Sequence, residues 1–210
     1  MRGETTDSER RGTGEMQAHS VDLEFILPVC NREGDVVPAL RNVVACLRHL
    51  AVPAAIAVVD CGSSDRTLER VDGLAAESPV PVRTVGCSRP GWHAAALRGI
   101  TSTAARWVAL GEPDDLGSTD TAGFDHAVRM LAAGDRHVVC LGSRGRRSTV
   151  LEVSAAATIV REQAPDGPGF VPDLPDSVWH AGLRIAAVGR VAGPARADLE
   201  TTAVVERVAV

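Results

Sequence analysis

The stretch Ala55-Ile56-Ala57-Val58-Val59-Asp60-Cys61-Gly62-Ser63-Ser64-Asp65 decides the fold. An unbroken apolar run rich in Val and Ile reads as a strand buried on both faces, as strands of parallel sheets are. The polar residues after it read as a turn into a helix. Gly62 permits a tight turn, and Ser63, Ser64 and Asp65 can cap the next helix, whose N-terminus favours anions. Asp60 ends the strand, which puts its carboxylate where ligands of parallel α/β sheets bind, beyond the carboxyl ends of the strands. Such a carboxylate can accept hydrogen bonds from a nucleobase or a ribose. The plain alternative is a strand-to-helix turn with no ligand.

The same unit recurs on either side. Leu23 to Val29 is a short apolar run, a buried first strand. The polar turn Asn31-Arg32-Glu33-Gly34-Asp35 comes next, with Asp35 as expected N-cap, then a helix with Val36, Leu40, Val43, Val44, Leu47 and Leu50 on one face. Downstream the pattern predicts a helix through Leu68, Val71, Leu74 and Ala75, and a strand over Val82 to Val85. An Ala-rich helix runs from Trp92 to about Ala104, then a strand over Arg106 to Leu110. A helix through Phe124, Val128 and Leu131 leads to a strand over His137 to Leu141. Alternating strands and helices predict a Rossmann-like α/β fold, a mostly parallel sheet with helices on both faces. Arg144 to Arg147 reads as a solvated basic loop, Val150 to Arg161 as part strand and part helix, and Leu183 to Val188 as a late strand.

A second acidic cluster, Glu112-Pro113-Asp114-Asp115, stands directly after the strand ending in Leu110-Gly111. Oxygen-only donors suit Mg²⁺ or Mn²⁺, which commonly share their coordination with substrate phosphates. An acidic surface turn at Pro and Asp is the competing reading.

Composition narrows the function classes. A chain of 210 residues is long enough for a substantial core. With aromatic content of 3% and no Tyr, that core must be built from Val, Leu, Ile and Ala. All 22 basic residues are Arg, and the net charge of -5 argues against nucleic-acid binding, which needs clustered positive charge. Five cysteines (Cys30, Cys46, Cys61, Cys87 and Cys140) without CxxC spacing argue against zinc and against a disulfide framework, and point to a reducing cytoplasm. No apolar run is long enough to span a membrane. Residues 1–20 are polar with no apolar core and are expected to be a disordered leader, with one domain over 21–210 after it.

Four motifs keep their order and spacing between Val21 and Asp115. They are Pro28-Val29-Cys30-Asn31-Arg32-Glu33-Gly34, Val58 to Asp65, Gly91-Trp92-His93-Ala94-Ala95-Ala96-Leu97-Arg98-Gly99-Ile100, and Leu110-Gly111-Glu112-Pro113-Asp114-Asp115-Leu116. Together they resemble the family 2 glycosyltransferases of GT-A fold, whose segments run P-V-Y-N-E, V-V-D-D/G-G-S-T-D, G-x-x-x-A-x-N-x-G and L-D/G-A-D-D. The resemblance implies an inverting transfer of a sugar from a nucleoside diphosphate sugar to a hydroxyl acceptor of unknown identity. Residues 21–118 would form the nucleotide-sugar-binding half and 119–210 an abbreviated acceptor half. Donor contacts would come from Pro28, Asn31, Glu33, Asp60, Gly62, Ser63, Asp65, Arg98 and Asp114. Placing one extra residue, Gly111, before the last motif puts Glu112 and Asp114 on the metal positions with Asp115 as a spare ligand. A gap-free alignment puts Gly111 and Pro113 there instead. Asp176, with Asp173 as runner-up, would be the catalytic base, although the helix after it is cut short by Gly182.

Two other classes compete. A nucleotidyltransferase would carry a Gly-rich, Lys-containing loop after the first strand, and Asn31-Arg32-Glu33-Gly34 is too poor in Gly and lacks Lys. A degenerate GT-A domain, serving as a non-catalytic nucleotide-binding or partner subunit, is the stronger rival. Cys61, the Glu-Pro of the metal motif and the short base helix speak for it. Monomer and homodimer are both left open.

Overall fold

The computed structural model describes residues 21–111, 121–134, 136–143, 146–152, 156, 185–190 and 202–204. In chain order its elements are β1 (Leu23–Val29), α1 (Val36–Leu47), β2 (Ala54–Asp60), α2 (Thr67–Ala75), β3 (Val82–Gly86), α3 (Trp92–Ser102), β4 (Trp107–Gly111), α4 (Thr121–Ala132), β5 (Val138–Ser143), β6 (Arg146–Glu152), β7 (Ile185–Arg190) and β8 (Thr202–Val204). The strands form one sheet in the order β3-β2-β1-β4-β6-β5-β7-β8.

The first half is wholly parallel. β1 pairs with β2 from Leu23↔Ala54 to Val29↔Asp60, and β2 pairs with β3 up to Asp60↔Gly86. On its other side β1 pairs with β4 only from Leu23↔Trp107 to Ile26↔Leu110. The chain thus winds outward from β1 through β2 to β3, then returns to the opposite side of β1. That reversal is a topological switch point, where the strand ends diverge and ligands of open α/β sheets sit. Pro28 lies past the last residue of β1 paired to β4, so its missing N–H breaks no ladder bond there.

Alternation along the strands sorts the core into two layers. Phe25, Leu27, Ile56 and Val58 face Leu40, Val43 and Val71, with Phe124 and Leu131 of α4 in the same layer. Ile26, Ala57, Val59 and Leu110 face Ala95, Ala96 and Ile100 of α3. Helix α3 lies close to the sheet because Gly99 has no side chain: a Cβ there would collide with Ile26 Cγ2 and stand 3.1 Å from Val59 Cγ2. The Ile26 methyl is branched at Cβ and cannot swing away. Relieving that clash costs about 1–3 kcal/mol, more than the ~1 kcal/mol that Ala gains over Gly inside a helix. Gly99→Ala is therefore expected to lower stability by up to about 2 kcal/mol, measured as a fall in the urea midpoint at unchanged slope.

Glu24 is the one charge in a strand of otherwise apolar residues, and it is 4% exposed. Arg83 of β3 holds it with two parallel bonds, Nε to Oε1 and Nη2 to Oε2, each 2.7 Å, and also donates to Ser102 Oγ at the end of α3. This fork pairing keeps a carboxylate under α3 without an unpaired buried charge.

Several expectations are corrected. The second half of the sheet is mixed: β6 is antiparallel and lies between β4 and β5, while β5 and β7 are parallel and β7 and β8 antiparallel. Ser143↔Arg146 is the last β5–β6 pair, so only two residues separate the strands, a hairpin spacing. Arg146 and Arg147, read as loop, belong to β6. Helix α3 stops at Ser102 rather than Ala104, where Thr103 turns extended. Thr101 and Ser102 bond back to the carbonyls of Leu97 and Gly99, at 2.9 Å each, which weakens continuation. Leu50 falls beyond the end of α1 but still packs on its core. Asp35 stands at the N-cap of α1 but makes no side-chain cap bond. Its carboxylate instead pairs with Arg32, whose guanidinium holds it below its ordinary pKa.

Candidate functional site

The site is built where β1, β2 and β3 end. Asp60, the last residue of β2, is 7% exposed. Its carboxylate accepts the backbone N–H of Gly62 at 3.2 Å and of Ser63 at 3.1 Å. Gly62, with φ +87°, makes this tight return possible. The turn therefore holds the carboxylate at the sheet edge by two fixed donors, and its remaining lone pairs are open to a further donor.

The loop after β1 is clasped onto the turn after β2. Asn31 N–H donates to Ser63 Oγ at 2.9 Å, and Ser64 N–H donates to Asn31 Oδ1 at 2.8 Å. Asn31 holds φ +50°, a left-handed conformation that Asn tolerates better than most residues. Arg32 N–H donates to Thr67 Oγ1 at 2.7 Å. Glu33 N–H donates to Asp65 Oδ2 and Arg66 N–H to Glu33 Oε2, both at 3.0 Å. Asp65 also accepts the Thr67 N–H at 3.0 Å, which caps the start of α2. The Thr67 hydroxyl, then the backbone N–H groups of Glu33 and Thr67, hold Asp65 below its ordinary pKa.

These contacts place the expected donor residues. Pro28, Asn31, Glu33, Asp60, Gly62, Ser63 and Asp65 come together at one edge, but Asn31, Glu33, Ser63 and Asp65 face one another across the two loops. Ser63 and Ser64, expected as caps, serve the clasp, and Asp65, one residue before the N-cap Arg66, accepts the Thr67 N–H. Arg98 lies on α3, exposed, with Nε donating at 3.3 Å to the carbonyl of Gly86, the β3 residue paired with Asp60. Trp92 packs against the α3-side core. Glu112, Asp114, Asp115, Asp173 and Asp176 lie outside the described residues. Among the described residues no group of three His, Cys, Asp or Glu could hold a metal ion. No helix among them is long and apolar enough to cross a membrane. Sequence reasoning missed Thr67, fully buried between the loops, and the Glu24–Arg83 pair. The pair had a signal, since a charge inside a buried strand demands a partner.

Solved structures share this architecture. A mannosyltransferase from Pyrobaculum calidifontis, solved with GDP-Man and Mn²⁺, matches over 80% of this chain and 55% of its own at TM-score 0.59 and 17% identity. Glucosyl-3-phosphoglycerate synthase from Mycobacterium tuberculosis, solved with uridine diphosphate, matches over 84% and 73% at TM-score 0.52 and 19% identity.

The chain has the GT-A fold.

TarS residues 1–349 from S. aureus match it too, over 64% of this chain and 48% of that one at TM-score 0.50 and 12% identity. The chain thus spans about half the length of the TarS fragment and of the mannosyltransferase. No protein-family model matches it, and no curated protein matches it in sequence. In the parallel half, β3-β2-β1-β4, Asp60 ends β2, and Gly111, the residue before Glu112 in sequence, ends β4.

Proposed function

We propose that this chain is an inverting glycosyltransferase that moves a sugar from a nucleoside diphosphate sugar to a hydroxyl acceptor. The observation that carries the reading is Asp60, a buried carboxylate fixed by two turn N–H groups beside the switch point of a GT-A sheet. A base N–H meeting it gains a hydrogen bond to a charged, preorganised acceptor. β4 ends two strands away from β2, so Gly111 lies roughly 10 Å across from the β2 edge and about two residue rises short of Asp60. That separation suits a nucleoside diphosphate with its base at Asp60 and its phosphates toward Glu112.

Glu112, Asp114 and Asp115 form an oxygen-only donor set of the kind Mg²⁺ or Mn²⁺ takes, and they would hold the cation. Such a cation, when bound, offsets negative charge on the diphosphate. The clasp of Asn31, Glu33, Ser63 and Asp65 keeps the edge rigid so that Asp60 and Pro28 meet the nucleoside without reorganising. Asp176, or Asp173 in its place, would take the proton of the acceptor hydroxyl. The relatives solved with GDP-Man and uridine diphosphate make guanosine and uridine donors the first to test.

A second reading, a nucleotide-binding domain without catalysis, is favoured by the clasp itself, which commits four expected donor residues to loop contacts. Titration calorimetry with uridine and guanosine diphosphate sugars, with and without Mn²⁺, separates the two. Binding that Mn²⁺ strengthens, with slow donor hydrolysis, is expected of the transferase. Binding without turnover leaves the second reading, and no binding to either nucleotide overturns both.

A further inference from the structure

We propose that Cys61 and Cys87 are a reversible disulfide-forming pair that ties the β2–α2 turn to the β3–α3 loop. Three of the five cysteines each stand one residue past a strand: Cys30 after β1, Cys61 after β2 and Cys87 after β3. The ladder carries on past the strand ends, since Cys61 N–H donates to Val29 O at 3.0 Å and Cys87 N–H to Asp60 O at 2.8 Å. The register Val29↔Asp60 and Asp60↔Gly86 therefore sets Cys30, Cys61 and Cys87 abreast across the sheet edge. Neighbouring strands stand about 4.8 Å apart, inside the roughly 4.4–6.8 Å that a disulfide spans between Cα atoms.

Packing selects the pair, since Cys30 is exposed and its Sγ contacts the Cys61 carbonyl at 4.0 Å. Cys61 and Cys87 both pack on the α3-side core with Trp92 and Leu97, so their sulfurs share one face. Burial pushes the Cys61 thiol up to about 11, with further contributions from the neighbouring Cys87, Cys30 and Asp60. Both thiols are free and partly exposed, whereas Cys46 is buried and bonded to Asn42 O at 3.1 Å on α1. Little opposes the bond. Cys61 Sγ donates to Gly91 O at 3.7 Å and Cys87 Sγ to Arg89 O at 3.1 Å, both weak S–H contacts. Gly91 O keeps its Ala95 N–H at 3.2 Å if the thiol leaves.

The chemistry is thiol–disulfide exchange with a low-molecular-weight disulfide. The Cys87 thiolate attacks one sulfur of RSSR, forming Cys87–S–SR and releasing RSH after protonation. Cys61, on losing its proton to solvent, attacks the Cys87 sulfur, forms the Cys61–Cys87 bond and expels the second RSH. Two protein thiols are oxidised by two electrons and RSSR is reduced to two thiols. The link closes a loop between the ends of two neighbouring strands, which limits the unfolded chain.

The test incubates the full chain with oxidised glutathione and maps its peptides without reduction. The expected result is loss of two titratable thiols, a mass lower by two hydrogens, a Cys61–Cys87 cross-link, and a higher Tm that dithiothreitol reverses. Cys61→Ser and Cys87→Ser should each abolish the mass loss, and Cys30→Ser should leave it intact. The wild-type map decides the matter even if a serine variant folds poorly. Glutathione adducts alone, a Cys30–Cys61 link, or an unchanged thiol count would overturn the proposal.

Discussion

Asp60→Asn is expected to lower nucleotide affinity about 10- to 100-fold while leaving the fold within about 1 kcal/mol of the parent. The reason lies in the turn. Asp60 accepts two backbone N–H groups, from Gly62 and Ser63, and is 7% exposed. An asparagine keeps one side-chain oxygen in that place, so the turn retains an acceptor. What changes is the other half of the group: an acceptor becomes an N–H₂ donor, which repels the N–H edge of a base instead of binding it. A hydrogen bond to a charged partner is worth about 1.5–3 kcal/mol, which sets the expected range. Asp60→Ala differs in kind. It removes the acceptor outright and leaves two N–H groups to find water, at a cost of about 2 kcal/mol with partial access at the sheet edge. Urea unfolding and nucleotide titration on both variants therefore separate structure from binding. Unchanged affinity in Asp60→Asn, with the fold intact, would remove Asp60 from the site.

The parts of this fold that were legible are those where burial repeats locally. β1, β2 and β4 are buried beneath helices, so each shows as a mainly apolar run, and α1 and α4 show as stripes at helical spacing. β6 was hidden because Arg146, Arg147 and Ser148 open it, and polarity there reads as loop. Its antiparallel insertion between β4 and β5 is a long-range pairing that no local pattern encodes. The site divides the same way. The turn at Asp60 was legible because Asp, Gly and Ser act on their own neighbours. The clasp was not, because Asn31 meets Ser63 and Ser64, and Glu33 meets Asp65 and Arg66, only after β1 and β2 pair. The family resemblance assigns those four polar side chains to a ligand. The same polarity also serves to hold two loops together. The cysteines have no CxxC spacing in sequence, yet Cys30, Cys61 and Cys87 each stand one residue past a parallel strand in matched register.

Asp114→Ala is expected to reduce sugar transfer by roughly 10³-fold, because a cation held at a diphosphate contributes several kcal/mol of charge stabilisation to the departing group. The start of the acidic motif decides which residues are ligands. Gly111 is the last residue of β4, buried and paired with Ser148 of β6. A residue locked in the ladder with no side chain offers no ligand, which supports starting the motif at Glu112 and setting Asp114 on its second acidic position. The variant should keep the nucleoside affinity proposed for Asp60, yet lose the Mn²⁺-dependent strengthening expected for diphosphate sugars. Asp176→Ala should behave in the opposite sense, with turnover reduced about 10²-fold or more and the Mn²⁺-dependent donor affinity unchanged. Single-turnover rates and donor titrations on the two variants, each with and without Mn²⁺, tell these roles apart. Full transfer activity in Asp114→Ala would sink the metal assignment, and Asp176→Ala with parental turnover would move the base elsewhere, with Asp173 the next residue to replace.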